Sequence, residues 1–244
     1  MLEVPELAEL LQVSQATVRR DLERLEREGQ LQRVRGGAVV PTGLGDTAEP
    51  MHREKVRAQA AAKQAIARCI AARVRPGDVI ALDSGTTTLA IAMALRTLEY
   101  ATVITTDLQI AVALADTAGI DVIIVGGSVR RGLYTVVGPL AERTLEALNV
   151  GTAYVGADAI DLERGVTNAS LSEVAVKRAL LASARERVLV ADHSKFDHVS
   201  LAEVAKLDRF DEIVTDAQLP PAVVERYRAA GSQLTLAHLE EPRP

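Results

Sequence analysis

Aromatic residues are scarce in this chain of 244: two Phe, four Tyr and no Trp. A core must therefore be filled with Ala, Val, Leu and Ile, which an apolar fraction of 48% allows. Cysteine occurs once, as Cys69, so no intrachain disulfide can form. In its Ala-rich helical surroundings that residue reads as a small core side chain. A single thiol fits a reducing compartment, and a cytoplasmic location is expected. No apolar run approaches the roughly 20 residues that span a bilayer. The first ten residues, "MLEVPELAEL", lack the basic n-region of a signal peptide, so no membrane partner is expected. No His/Cys cluster has zinc spacing, and neither GxxxxGK[ST] nor GxGxxG occurs, which argues against a metal, a cofactor and nucleotide hydrolysis. Positive charge is not in excess either. The net charge of −5 speaks against a chain coated in nucleic acid, yet it leaves room for a small DNA-reading module whose charge is local.

Such a module is legible at the start. In "VPELAELLQV" a Pro suits a first helical turn, and Leu7, Leu10 and Leu11 fall at helical spacing. In "SQATVRRDLERLEREG" Ser14 is a good N-cap, Val18, Leu22 and Leu25 form one apolar stripe, and Gly29 is a stop. The short connection between the two helices is that of a helix-turn-helix. "LQRVRGGAVV" then reads as two short strands around Gly36–Gly37, a wing. From Ser14 to Val40 there are six Arg against four acidic residues, a local net charge of +2.

The Pro- and Gly-rich "PTGLGDTAEP" is a linker. One long helix is expected from about His52 to Val74, with Ala61, Ala65, Ile66, Cys69 and Ile70 inward. From Gly77 on, Val/Ile-rich runs alternate with helical stretches: "DVIALD", "ATVITTD", "DVIIVGG", "TAYVGAD", "RVLVAD" and "EIVTD". This alternation implies an α/β fold with a doubly wound, mainly parallel sheet. The expected division is 1–45 for the DNA-binding unit, 46–75 for the linker and connecting helix, and 76–244 for the α/β domain.

Five of the six strands end in Asp, namely Asp83, Asp107, Asp158, Asp192 and Asp216. Ligands of open parallel sheets bind beyond the carboxyl ends of the strands, where carboxylates can take sugar hydroxyls. Each Asp also fits an ordinary helix cap, Asp216 most readily. The corner "DSGTTT" is more specific. Gly85 permits a tight turn, and Thr86, Thr87 and Thr88 open a helix whose free amides and dipole attract an anion. Gly126–Gly127 with Arg130 and Arg131 can also approach a phosphate, or the arginines are simply solvated. Glu173 and Lys177 stand four apart, in the order that suits a surface ion pair, although their place after "GADAIDLERG" also suits a pocket. "ADHSKF" is no catalytic triad, because triad groups converge from separated points of a chain. His193 reads as structural, and Lys195 can reach the pocket as a fixed charge.

Taken together these segments resemble the DeoR family of bacterial transcription regulators, of the glycerol-phosphate and deoxyribonucleoside repressor type. "SQATVRRDLERLEREGQLQRVRGGAVV" is similar to that family's recognition helix and wing. "DSGTTT", "TTDLQIA", "VGGSVRRGLYTVVGPLAE", "VGADAIDLERGVTN", "SEVAVKRAL" and "ADHSKF" follow its sensor domain in order. The resemblance implies a winged helix-turn-helix joined to a sugar-phosphate-sensing domain similar in fold to ribose-5-phosphate isomerase and coenzyme A transferases. It implies a DNA surface of Ser14, Gln15, Thr17, Arg19 and Arg20, with Arg33 and Arg35 of the wing on phosphates. It implies that Ser84, Gly85, Thr86 and Thr87 hold the ligand's phosphate. Asp83, Thr106, Asp107 and Asp158 then face the sugar, with Gly126, Gly127, Glu173, Lys177 and Lys195 around it. Arg35 stands where the family's wing usually has His, and Thr106–Asp107 where many relatives have Asn or Ser. The family's first helix precedes the segment starting at Val4, so the winged helix is expected to lack one wall and the true start codon to lie upstream.

The function implied is a repressor of sugar-metabolism genes, not an enzyme and without catalytic residues. It works as a homo-oligomer on operator DNA and responds to a phosphorylated sugar. The alternatives are a sugar-phosphate isomerase-like enzyme and an effector-binding protein without DNA binding. By this reading Asp83→Ala or Thr86→Ala removes the ligand response and leaves folding intact.

Overall fold

A computed structural model describes residues 2–27, 32–34, 37–39 and 52–239. The chain divides into two compact units, 1–49 and 50–244.

The first unit begins with a two-residue strand β1 (Leu2–Glu3) and two helices, α1 (Val4–Leu10) and α2 (Gln15–Arg27). Strands β2 (Gln32–Val34) and β3 (Gly37–Val39) form an antiparallel hairpin, and β1 adds to its β3 side with Leu2 opposite Ala38. Ser14 caps α2 as its residue type suggests, its Oγ accepting the Thr17 N–H at 3.1 Å. Val4, Val18 and Leu22 are buried, with Leu7 and Ala8 against them. The expected apolar stripe of α1 is only partly used. Leu10 and Leu11 are 72% and 59% exposed, since the chain leaves the helix there and turns through Gln12, whose φ is 53°. Gly29, Arg35 and Gly36 lie outside the described residues, as does the side chain of Leu25.

In the second unit the expected single helix is two. They are α3 (His52–Arg57) and α4 (Ala60–Ala71), broken at Gln59, which is left-handed at φ 53° and ψ 36°. The helix α4 buries Ala65, Ile66 and Ile70 as the spacing predicts, but turns Ala61 outward and Lys63 inward. The following elements are β4 (Val79–Leu82), α5 (Thr86–Leu95), β5 (Ala101–Thr105), α6 (Leu108–Ala115) and β6 (Ile120–Ile124). A small hairpin, β7 (Ser128–Val129) and β8 (Val136–Val137), leads to α7 (Pro139–Glu146) and β9 (Val150–Val155). Then come β10 (Ala159–Asp161), β11 (Gly165–Asn168), α8 (Leu171–Ser183), β12 (Ala184–Val190), β13 (Ala202–Ala205), β14 (Glu212–Asp216), α9 (Pro221–Ala229) and β15 (Leu234–Ala237).

Seven strands form one wholly parallel sheet in the order β15-β14-β12-β9-β4-β5-β6. All six runs read from the sequence are in it, and β15 is the addition. Side chains alternate between two cores, as strand geometry requires. Ile80, Leu82, Val188 and Val190 face one core with α4, α5 and α6, whereas Ala81, Val155 and Leu189 face the other with α7, α8 and α9. A second, antiparallel sheet, β10-β11-β13, lies beside α8. Four of the six aromatics are buried, while Tyr100 and Tyr134 are exposed. Phe196 meets Tyr227 edge to face at 5.1 Å. The Tyr227 hydroxyl donates to the Ile160 carbonyl at 3.2 Å, which satisfies the one polar atom that its burial would strand.

Candidate functional site

The strand order reverses between β4 and β9. From β4 the chain winds outward through β5 and β6, and then returns to lay β9 on the other side of β4. In sheets of this kind the ligand crevice lies at such a reversal, beyond the carboxyl ends of the two strands. Asp83 follows β4 there and Gly156 follows β9, and the Gly156 N–H donates to Asp83 Oδ2 at 3.0 Å.

The corner after Asp83 is held from the neighbouring strand. Asp107 caps α6, its Oδ1 accepting the amides of Gln109 at 2.7 Å and Ile110 at 3.2 Å. Its Oδ2 accepts the Gly85 N–H at 3.1 Å. Asp107 is thus both cap and clamp, and the Gly85 amide is already used. Gly85 itself sits at φ 142°, a conformation that L side chains rarely adopt. Thr88 is buried and donates back to the Gly85 carbonyl at 2.9 Å, while Ser84, Thr86 and Thr87 are half-buried. The first intrahelical bond of α5 is Leu89 N–H to the Gly85 carbonyl, at 2.9 Å. The amides of Thr86 and Thr87 precede it, and a helix offers such first-turn donors no carbonyl of its own.

Beside this corner lies a buried ionic network. Glu173 and Lys177 are both buried on α8, and the surface pair suggested by their spacing is not formed. Lys177 instead pairs with Asp83 and donates to the Gly156 carbonyl at 3.0 Å. Glu173 pairs with Arg130 from the β7–β8 hairpin and accepts Asn168 Nδ2 at 2.9 Å. Burial works to lower the Lys177 ammonium, but the carboxylates of Asp83 and Glu173 outweigh it and hold the group above its ordinary value. Burial pushes the Asp83 carboxyl up, against the pull of Lys177. Asp83 Oδ1 and Thr106 Oγ1 are buried and without a hydrogen-bond partner among the described residues. An orphaned buried acceptor is costly unless a donor arrives from outside.

Asp158 closes the far side. Its Oδ2 accepts the Ala169 N–H at 3.0 Å, and its Oδ1 pairs with Lys55 of α3 at 3.2 Å. Burial would raise this carboxyl, but Lys55 and the Ala169 amide hold it below its ordinary value. Lys195 sits half-buried in the short turn His193–Lys195; its amide donates to the Asp192 carbonyl at 3.1 Å, and its side chain has no hydrogen bond or ion pair among the described residues. Asp192 caps that turn through Ser194, and Asp216 accepts both the His193 amide at 2.8 Å and its Nδ1 at 2.9 Å. Ser194 and His193 therefore serve different carboxylates, as expected for residues that form no triad. Gly127 is glycine for a packing reason, since a Cβ there would lie 2.7 Å from the Val137 carbonyl. Gly126 has open space around it, and Arg131 is exposed.

Two participants escaped the sequence reading. Lys55 and Lys63 fall in a stretch that reads as a plain amphipathic helix. Only the break at Gln59 turns Lys55 toward Asp158 and buries Lys63, whose amine burial lowers to about 8, with Lys195 and Lys55 nearby opposing its charge and Asp192 favouring it.

In the first unit, Gln15, Thr17, Arg19 and Arg20 of α2 are exposed, as is Ser14 before it. Arg19 and Arg20 have no partner among the described residues. Arg33 pairs in register with Ala38 across the hairpin. Fold and site together define a helix-turn-helix unit with a wing, joined to a doubly wound domain whose strand ends carry a charged crevice. The chain matches the DeoR-like helix-turn-helix domain over residues 1–43 and the DeoR C terminal sensor domain over residues 58–217. It belongs to the DeoR family of DNA-binding transcriptional regulators. The uncharacterized HTH-type transcriptional regulator YgbI of Escherichia coli K12 is 38% identical over 89% of this chain and 84% of its own length. A putative aga operon transcriptional repressor of Escherichia coli O157:H7 is 33% identical over 96% and 87%. The HTH-type transcriptional repressor GlcR of Bacillus subtilis is 31% identical over 97% and 90%. Among solved structures, ribose 5-phosphate isomerase A of Methanocaldococcus jannaschii overlaps with a TM-score of 0.40 and 18% identity, over 55% of this chain and 53% of that one, too little to support an inference. No helix among the described residues is long and apolar enough to cross a membrane.

Proposed function

We propose that the chain is a repressor of sugar-metabolism genes whose hold on operator DNA changes when a phosphorylated sugar binds at the carboxyl ends of β4, β5 and β9. The observation that carries this reading is the start of α5. Thr86 and Thr87, both half-buried, open the helix on a corner that Asp107 pins from the next strand, and their amides have no helical acceptor. A phosphoryl group accepts such donors, and the helix dipole favours its charge. The unpartnered Asp83 Oδ1 and Thr106 Oγ1 suit the hydroxyls of a sugar, and Lys195 supplies a positive charge not used elsewhere. On the DNA side, α2 enters the major groove with Gln15, Thr17, Arg19 and Arg20, while the wing with Arg33 and Arg35 holds the backbone. A homo-oligomer, at least a dimer, reads two half-sites about one helical turn or a multiple of it apart. The ligand acts by binding the DNA-competent and DNA-incompetent states unequally.

The enzyme reading has less support. An isomerase needs a carboxylate free to carry a proton, whereas Glu173 has both oxygens engaged. A thermal-shift screen of pentose and hexose phosphates tests the proposal. At least one member should raise the melting temperature by mass action and change operator affinity in a gel shift. If no phosphosugar does both, the proposal fails.

A further inference from the structure

Lys63 points inward from α4, and its ammonium is not spent on a carboxylate. It donates to the carbonyl of Lys55 and, at 2.6 Å, to that of Ala58. Those carbonyls lie in the last turn of α3 and just beyond it. A helix leaves its final carbonyls without intrahelical donors, and a cation there is favoured by the dipole. Lys63 thus caps α3 from the neighbouring helix, across the break at Gln59. A second hold on α3 is Lys55, bonded to Asp158 at the edge of the crevice, and α3 also packs against α5, the helix with the open amides. Along the chain, α3 is the first described element after the unit that ends at residue 49. A short helix held, among the described residues, by Lys63 and by the bond from Lys55 to Asp158 lies on the covalent route between the two units.

We propose that Lys63 is a positioning residue that couples ligand occupancy to the DNA-binding unit by holding α3 where Lys55 can reach Asp158. The proposal rests on the crevice being the ligand site. With the crevice empty, Asp158 is neutralised by Lys55 and α3 is fastened. A ligand hydroxyl that donates to Asp158 competes with Lys55, and the hold of Asp158 on α3 weakens. Because linkage is reciprocal, weakening the fastening must also favour the ligand-bound state.

The test uses the full chain without ligand first. In Lys55→Met, Lys63→Met and Asp158→Asn, amide hydrogen exchange of residues 55–58 should quicken by about tenfold, the order expected when one charge-assisted hydrogen bond is lost. Exchange in β4 and β9 should stay as in the parent. All three variants should shift operator affinity in the same direction, and Lys55→Met with Asp158→Asn together should shift it no further than either alone. A merely structural Lys63 would loosen α3 and leave operator affinity unchanged, which overturns the proposal. So does additivity of the Lys55 and Asp158 variants. The same pentose and hexose phosphate panel separates this idea from the site reading. If a phosphosugar weakens operator binding equally in the parent and in Lys63→Met, the coupling is wrong and the site stands. If α3 and operator affinity respond as expected while no phosphosugar binds, the coupling stands and the ligand assignment is wrong.

Discussion

Asp83 and Lys177 are 1% and 3% exposed, and each is the other's neutralising charge. Taking one partner from such a pair leaves a buried charge without compensation. Lys177→Met should lower unfolding free energy in urea by roughly 3–5 kcal/mol, and Asp83→Asn with Lys177→Met together should cost less than the sum of the two single changes. The expectation that Asp83→Ala spares folding therefore does not survive the structure, whereas Thr86, half-exposed and outside the ion pair, remains a fair probe of binding. Lys63 makes a second prediction at this scale. Its amine loses its proton near pH 8 in the folded chain and near 10.5 when unfolded. Between those values the unfolded state binds more protons, so this group's contribution to stability rises with pH and falls away as pH drops through 8. The buried Tyr154 and Tyr227, pushed up to about 12, begin to act in the opposite sense only above their ordinary value of 10. The window from pH 8 to 10 is thus the clean one. There the melting-temperature gain of the parent on raising pH should exceed that of Lys63→Met.

Among the elements, α5 offers the sharpest experiment. Thr86 is the first residue inside the helix and follows Gly85 at ψ 169°, an extended residue compatible with a following proline. Proline is well tolerated at that position because the amide it deletes has no helical acceptor. Thr86→Pro should therefore keep the fold, within about 1 kcal/mol in urea, and abolish the thermal shift produced by a phosphosugar. Retained binding would mean that the amide plays no part. The break between α3 and α4 shows the opposite relation between sequence and element. "HREKVRAQAAAKQAIARCIA" contains neither Gly nor Pro, and local propensity carries a helix straight through it. The contacts of Lys55 and Lys63 made in the folded unit override that preference, at the cost of a left-handed Gln59.

For the molecule as a whole, the division of labour between its units can be measured. Arg19→Ala or Arg20→Ala should weaken operator binding by about 1–3 kcal/mol if the side chain reads a base, or lower the salt dependence by about one ion if it holds a phosphate. In either variant, phosphosugar binding and the melting of the second unit should match the parent, because Arg19 and Arg20 belong to the first compact unit and the proposed ligand site to the second. A loss of ligand binding on mutating α2 would show that the two functions are not separately housed.

What the sequence determined by itself is local. Six strand cores, the cap at Ser14, the glycine corner at Gly85 and the wing around Gly37 each follow from a pattern of a few consecutive residues. A short Val/Ile-rich run, a hydroxyl before a helix, or a backbone angle that one residue type accepts is enough to fix each of them. The family was legible for the same reason, since its motifs are short and ordered. The tertiary structure alone decided which charges meet. Lys177 found Asp83 and not Glu173, Glu173 found Arg130, Asp107 reached across to Gly85, and Lys63 turned inward to cap a neighbouring helix. These partners stand from 5 to 94 residues apart. An ion pair carries no periodicity, so only the winding of the sheet, which brings distant strand ends to one crevice, selects the partner of each charge.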